Sequence, residues 1–267
     1  MPRGDAGAAL ATELGARAGE VERVRTPRGG TLLGFRCTPD ACLDVWRRAR
    51  ERYAATGWWP FISHTPPSDW EWADLTSGSH RGEARVPIID GLVELQAEDL
   101  LREAETFRPP TGHLPVRDLD ELARRLTAAV AHPAPPRLAE TRLATFFVGP
   151  PEWICLVPTE DPAGLPELLD APDTPNHTPF PGRESLSYRD HADVLREWHD
   201  RFGAEICYLG TDALLLSVES PPTDPLQVAR LAIEHYAYCP DFDQLIGGLP
   251  EIAAHQVPAR FWFFWWD

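Results

Sequence analysis

Apolar residues recur three and four apart along several stretches of the chain, and they alternate along others. Val45, Trp46, Ala49 and Tyr53 mark one face of a helix that opens at Thr38-Pro39-Asp40 and stops at Gly57. Strands are expected at 29–37 and at 58–63, where Pro60 argues for an edge or a bulge. Residues 1–22 read as a loosely held helix or tail and 64–84 as loop, and 95–107 and 117–132 carry helical periodicity. A Pro-rich connector (132–137) precedes two strands, 141–149 and 152–158, and a long Pro-rich loop spans 171–182. Val194, Leu195, Trp198 and Phe202 then form the stripe of a helix that caps at Ser187 with Asp190 and closes at Gly203. A hairpin follows with its turn at Gly210 to Asp212. The next helix has Asp224 as N-cap, Pro225 at its first position, and the stripe Val228, Leu231, Ala232, Tyr236, Cys239. A shorter helix is expected around 247–255.

The chain ends on "FWFFWWD" (261–267). In an extended segment Phe261, Phe263 and Trp265 face one way, and Trp262, Phe264 and Trp266 the other. Two apolar faces suit a strand covered on both sides, so this segment is expected to be a central core strand. The fold class that follows is α+β, a mixed or mostly antiparallel sheet with helices packed on it. Two lobes are expected, 23–142 (α/β) and 143–267 (α+β), behind the tail 1–22 and joined near 132–142. The segment 44–55 also aligns without gaps to 193–204. Coincidence between amphipathic helices is favoured, whereas a true repeat would pack both helices on one sheet in the same sense.

Composition narrows the chemistry. The 267 residues carry a formal charge of −16, and every one of the 25 basic residues is Arg. Without lysine there is no Schiff base, Walker-type phosphate lysine or protein-kinase ATP lysine. So acidic a chain disfavours nucleic acid and anionic membrane and leaves a basic protein partner open. No apolar run is long enough to span a bilayer, and the N-terminal stretch makes a poor secretory signal, so a cytoplasmic address is expected. Five cysteines, Cys37, Cys42, Cys155, Cys207 and Cys239, have no C-x-x-C spacing, and reduced, buried thiols are the expectation. There is no G-x-G-x-x-G, and "SGSHRG" (77–82) lacks a nucleophile-elbow context. No cofactor and no metal is expected.

In its second half the chain carries "NHTP", "HADVLREWHDRFGAE", "VESPPTDP", "AIEHYAYCPD" and "FWFFWWD" in that order. These motifs resemble the C-terminal domain of bacterial proteins grouped as domain of unknown function 4253, over roughly 152–267, and "TGWWP" is similar to the upstream part of longer members. The positions that match include Asn176, Trp198, Glu205, Glu234, Cys239, Asp241 and Trp265-Trp266-Asp267. The resemblance implies an α+β fold and no established activity. Here the usual Gly-Asp turn reads "GTDA", and the stretch after Cys-Pro-Asp reads "FDQLIGG".

Two candidate sites emerge. His235 and Cys239, with Asp241 and Asp243 following, could form a nucleophile set. Against this, a helix C-terminus opposes a thiolate, and Cys239 continues the apolar stripe. The acids Glu205, Glu234, Asp241, Asp243 and Asp267 could bind a cation, although none has EF-hand spacing. Asn176, Glu234, Asp241 and Asp267 are carried forward as candidate binding residues. The leading expectation is a non-enzymatic acidic binding or immunity-type protein that captures a basic protein. A hydrolase or thiol-dependent enzyme near Cys239 and the 171–182 loop is the alternative, with Asn176 or His177 contributing. A third reading is a small-ligand module stacked on Trp58, Trp59, Trp70 or Trp72.

Overall fold

The computed structural model describes residues 3–17, 19–70, 88–106, 118–130, 152–174, 177, 185–241, 244 and 247–267. Its organising element is a seven-stranded mixed sheet in the order β1-β2-β4-β3-β5-β6-β7. The strands are β1 (Glu22–Arg25), β2 (Thr31–Arg36), β3 (Trp58–Ser63), β4 (Trp153–Pro158), β5 (Ala204–Leu209), β6 (Ala213–Val218) and β7 (Phe261–Trp265). All neighbours are antiparallel except β3 and β5. The α+β expectation therefore holds. The two expected lobes share this sheet, because β4 from the second half lies between β2 and β3 of the first. The expected strand 141–149 lies outside the described residues.

Alternation divides the strand side chains between two cores. One face carries Trp59, Phe61, Cys155, Ile206, Leu216, Trp262 and Phe264. It is covered by α3 (Ile88–Leu95), α5 (Leu119–Val130), α7 (Tyr188–Phe202) and α8 (Pro225–Tyr238). Between these helices in the chain come α4 (Ala97–Thr106) and the short α6 (Leu165–Leu169). The other face carries Phe35, Trp58, Ile62, Tyr208, Leu215 and Phe261, beneath α1 (Arg3–Glu13) and α2 (Pro39–Thr56). Helix α1 approaches so closely that a Cβ on Gly7 would sit 2.5 Å from the Trp58 ring. The resemblance between 44–55 and 193–204 thus links helices on opposite faces, which is not what a repeat in the same sense requires. No helix among the described residues is long and apolar enough to cross a membrane.

Local sequence explains the helix limits. Ser187 and Asp190 complete a capping box at the start of α7, and Gly203 ends it in the left-handed region (φ 62°). Asp224 accepts a hydrogen bond from the Gln227 backbone at the start of α8. Thr38 holds the N-cap position of α2 without a side-chain bond, and Gly57 (φ 70°) closes that helix.

Two strands depart from expectation. Pro60 sits in β3, inside the sheet, where an edge or bulge was anticipated. The junction tolerates it because ladder pairing between β3 and β5 is confined to Ile62 opposite Tyr208. Indoles complete what the ladder leaves open: Trp46 Nε1 donates to the Pro60 carbonyl (3.0 Å) and Trp59 Nε1 to the Ile206 carbonyl (3.2 Å). The irregularity falls partly on β5, whose register with β6 shifts between Ile206 and Tyr208.

Strand β7 is in the sheet and its rings are largely interior, but it closes the strand order at one edge and is not central. Side chains occupy its open side. Gln256 donates to the Phe263 carbonyl (2.8 Å) and accepts from the Phe263 N–H (3.4 Å), and Cys239 Sγ donates to the Trp265 carbonyl (3.0 Å). An edge strand can be made safe in this way, because its outward backbone groups already have partners.

Candidate functional site

The residues singled out in the sequence meet only in part. Glu234, on α8, accepts hydrogen bonds from Trp198 Nε1 (3.1 Å) and from both terminal nitrogens of Arg201 (2.8 and 2.9 Å). Its side chain is 14% exposed, and it acts as an ion-paired tie between α7 and α8. His235 is fully buried with Trp198, Trp262 and Phe264 edge-on around it, at centroid distances of 4.8, 4.6 and 5.1 Å. Neither of its ring nitrogens has a hydrogen-bond partner, and burial holds its pKa well below the usual histidine value.

Asp241 and Asp267 do converge: the Asp267 N–H donates to Asp241 Oδ2 at 3.1 Å. Cys239 lies beside them through its bond to Trp265, but its thiol is buried. From the 171–182 loop, His177 reaches the same region. His177 hydrogen-bonds the Ala237 backbone, and the Tyr238 hydroxyl lies 2.6 Å from Nδ1 of His191. Asn176 and Asp243 lie outside the described residues. Among the described residues no group of three or more His, Cys, Asp or Glu is arranged to hold a metal ion. Nucleophilic catalysis requires a reachable thiolate, and this thiol instead secures a strand edge. In the folded protein Cys239 is expected to label with a neutral-pH thiol reagent no faster than buried Cys155 or Cys207. Rapid, selective labelling of Cys239 by peptide mapping would restore the catalytic reading. Of the rings named for the stacking reading, those described are interior. Trp58 and Trp59 are buried, Trp70 is 5% exposed, and Trp72 is outside the described residues.

The sheet opens elsewhere. Where β3 and β5 part below their one ladder pair, a cleft of about 590 Å³ lies between α2, α7 and the 160–163 segment. Arg50 forks onto Glu205, with Nε to Oε2 at 2.7 Å and Nη2 to Oε1 at 2.5 Å, and its guanidinium lies 5.4 Å over the Trp59 ring. Tyr53 meets Trp59 edge-on at 5.0 Å and donates its hydroxyl proton to the Thr159 carbonyl (3.1 Å). Across the opening Arg196 binds Asp161 (2.7 Å), Glu167 (3.1 Å) and Asp193 (2.7 Å).

Both guanidiniums are thus already neutralised. Lining carboxylates Glu160, Asp161, Asp200 and Glu205 outnumber Arg50 and Arg196 by four to two. The same field is felt by Tyr53, whose pKa is raised by burial and then by Asp161 and Glu160. Of the acids named from sequence, Glu205 is the one that reaches this cleft. The other charged lining residues arrive from α2, α7 and the turn after β4, so no local spacing could reveal them; Pro60 within an apolar strand is the available sign of a broken junction.

Residues 153–267 match the family Domain of unknown function (DUF4253). The DUF4253 region runs from β4 to β7, so it supplies one wall of the cleft, while Arg50, Tyr53 and Trp59 lie upstream of it. No curated protein and no solved structure matches the chain.

Proposed function

We propose that this is a non-enzymatic, acidic binding protein that captures a basic protein partner and seats one of its cationic side chains in the cleft between β3 and β5. The observation that carries the reading is the cleft's charge balance, four carboxylates to two already paired guanidiniums, on a chain of net charge −16. An arginine or lysine entering there meets a surplus of carboxylate and the ring of Tyr53, both attractive to a cation. A net negative charge also speeds encounter with an oppositely charged protein. An immunity-type role against a basic toxin is one form this takes.

The test uses an oligoarginine peptide as probe, titrated by calorimetry at low and at physiological salt. Binding is expected to weaken with salt. It is expected to fall about ten-fold in a Glu160→Gln/Asp200→Asn variant, since two exposed charges contribute about 0.5–1 kcal/mol each. Peptide binding that is indifferent to both the salt and the variant would end the proposal.

A further inference from the structure

Cys37 and Cys42 stand at special positions of α2. Thr38 is the N-cap, so Cys37 is the residue before it and Cys42 the fourth residue of the helix. Helix starts bring these two positions into contact, normally as a pair of apolar side chains that fixes the entry angle of the chain. Here the pair is two thiols. They hydrogen-bond to each other, and both pack in the core beneath α1 and α2. The backbone holds the contact from both sides. The Cys42 N–H donates to the Thr38 carbonyl (3.1 Å), and the Cys37 N–H donates to Glu152 at the start of β4 (2.7 Å). Accessibility separates the two: Cys37 is half-buried, and the other four cysteines are buried.

We propose that Cys37 and Cys42 are an oxidation site, a dithiol that closes to an intramolecular disulfide by exchange with a low-molecular-weight disulfide such as oxidised glutathione. Cys37, the reachable sulfur, loses its proton to solvent and attacks one sulfur of the external disulfide. The S–S bond breaks, one thiolate leaves and takes up a proton, and a mixed disulfide remains on Cys37. Cys42 then gives up its proton and attacks the Cys37 sulfur, expelling the second external thiolate. Two protein thiols are oxidised and one external disulfide is reduced to two thiols. No oxidant beyond that disulfide is needed. A disulfide requires Cβ atoms about 3.5–4.5 Å apart, and the contact between the residue before the N-cap and the fourth helical residue brings these two side chains against each other.

Burial raises the pKa of both thiols, and for Cys37 the nearby Arg48 partly opposes this. The exchange is therefore slow at neutral pH and accelerates as pH rises.

The experiment incubates the intact folded protein with oxidised glutathione at mildly alkaline pH. The reaction is stopped with acid, the chain is unfolded, free thiols are alkylated, and trypsin is added. Cleavage after Arg36 and Arg47 releases both cysteines in one peptide, 37–47. That peptide is expected to be two hydrogens lighter and to carry no alkyl group, with Cys155, Cys207 and Cys239 fully alkylated. In Cys42→Ala the reaction should stall with glutathione on Cys37. In Cys37→Ser, Cys42 should stay reduced. A wild-type peptide that keeps two alkylated cysteines, or one that retains glutathione on Cys37, overturns the proposal. So does a cross-link from either residue to a different cysteine.

Discussion

Trp262→Ala is expected to lower stability by about 3–5 kcal/mol, and removal of residues 260–267 to abolish folding to a soluble form. Trp262 is wholly buried, with Phe202, Trp198 and His235 around its ring at centroid distances of 5.5, 5.8 and 4.6 Å. Its indole N–H donates to the Val257 carbonyl at 3.1 Å, so the substitution leaves a cavity and an unpaired acceptor together. Truncation goes further. It strips β6 of its outer neighbour and uncovers the inner faces of α7 and α8, where Trp198 stacks on Phe264 and Tyr238 meets Trp198 and Trp266 edge-on. Urea denaturation followed by tryptophan fluorescence measures the point variant, and soluble yield measures the truncation. A shortened chain that stays folded would mean that this cluster is peripheral.

Acid is expected to destabilise the protein steeply between about pH 6.5 and pH 4. His177, His191 and His235 are buried, and each has at least one ring nitrogen without a partner. Burial lowers all three pKa values: to about 4 for His177, to about 3 for His191, and well below the usual value for His235. The unfolded chain, with histidines near 6.5, therefore takes up protons first as pH falls. Stability from these groups is complete above that value and is lost on acidification until the folded pKa is reached. At pH 5 the loss is about 2 kcal/mol each for His177 and His191, or about 4 kcal/mol for the two, and His235 adds in the same direction. Asp170 and Glu197, whose pKa values burial raises, act in the opposite sense, as does relief of the net negative charge. His235→Phe, which fills the same aromatic cage without a titrating group, should flatten the dependence. A urea midpoint that is the same at pH 7.5 and pH 5 would refute the account.

How much of this could be read from the residues alone follows from the range of the interactions concerned. Capping at Ser187–Asp190 and at Asp224–Gln227 is settled within four residues, and those helix starts stand where the sequence places them. Periodicity likewise identified β7 as a strand with two apolar faces. Its place at the sheet's edge depends on strand order, which no local pattern encodes. Helix α3 (Ile88–Leu95) is a short apolar run that follows loop-like composition, and periodicity over so few residues does not announce it. For the candidate site the contrast is sharper. Proximity along α8 suggested that Glu234, His235 and Cys239 act together, yet the helix turns them toward an ion pair, an aromatic cage and a strand edge. The cleft depends on Arg50 meeting Glu205 across 155 positions, and nothing nearer in the chain announces that contact.

The position of β4 bears on how the molecule comes into being. Both of its sheet neighbours, β2 and β3, belong to the first 63 residues, while β4 itself opens the matched region at Trp153. As the chain leaves the ribosome, β2 and β3 must therefore wait for about ninety further residues before the strand between them is made. A cut placed at the family boundary would separate β4 from both of its partners and β5 from its parallel one, leaving a fragment with raw edges on either side.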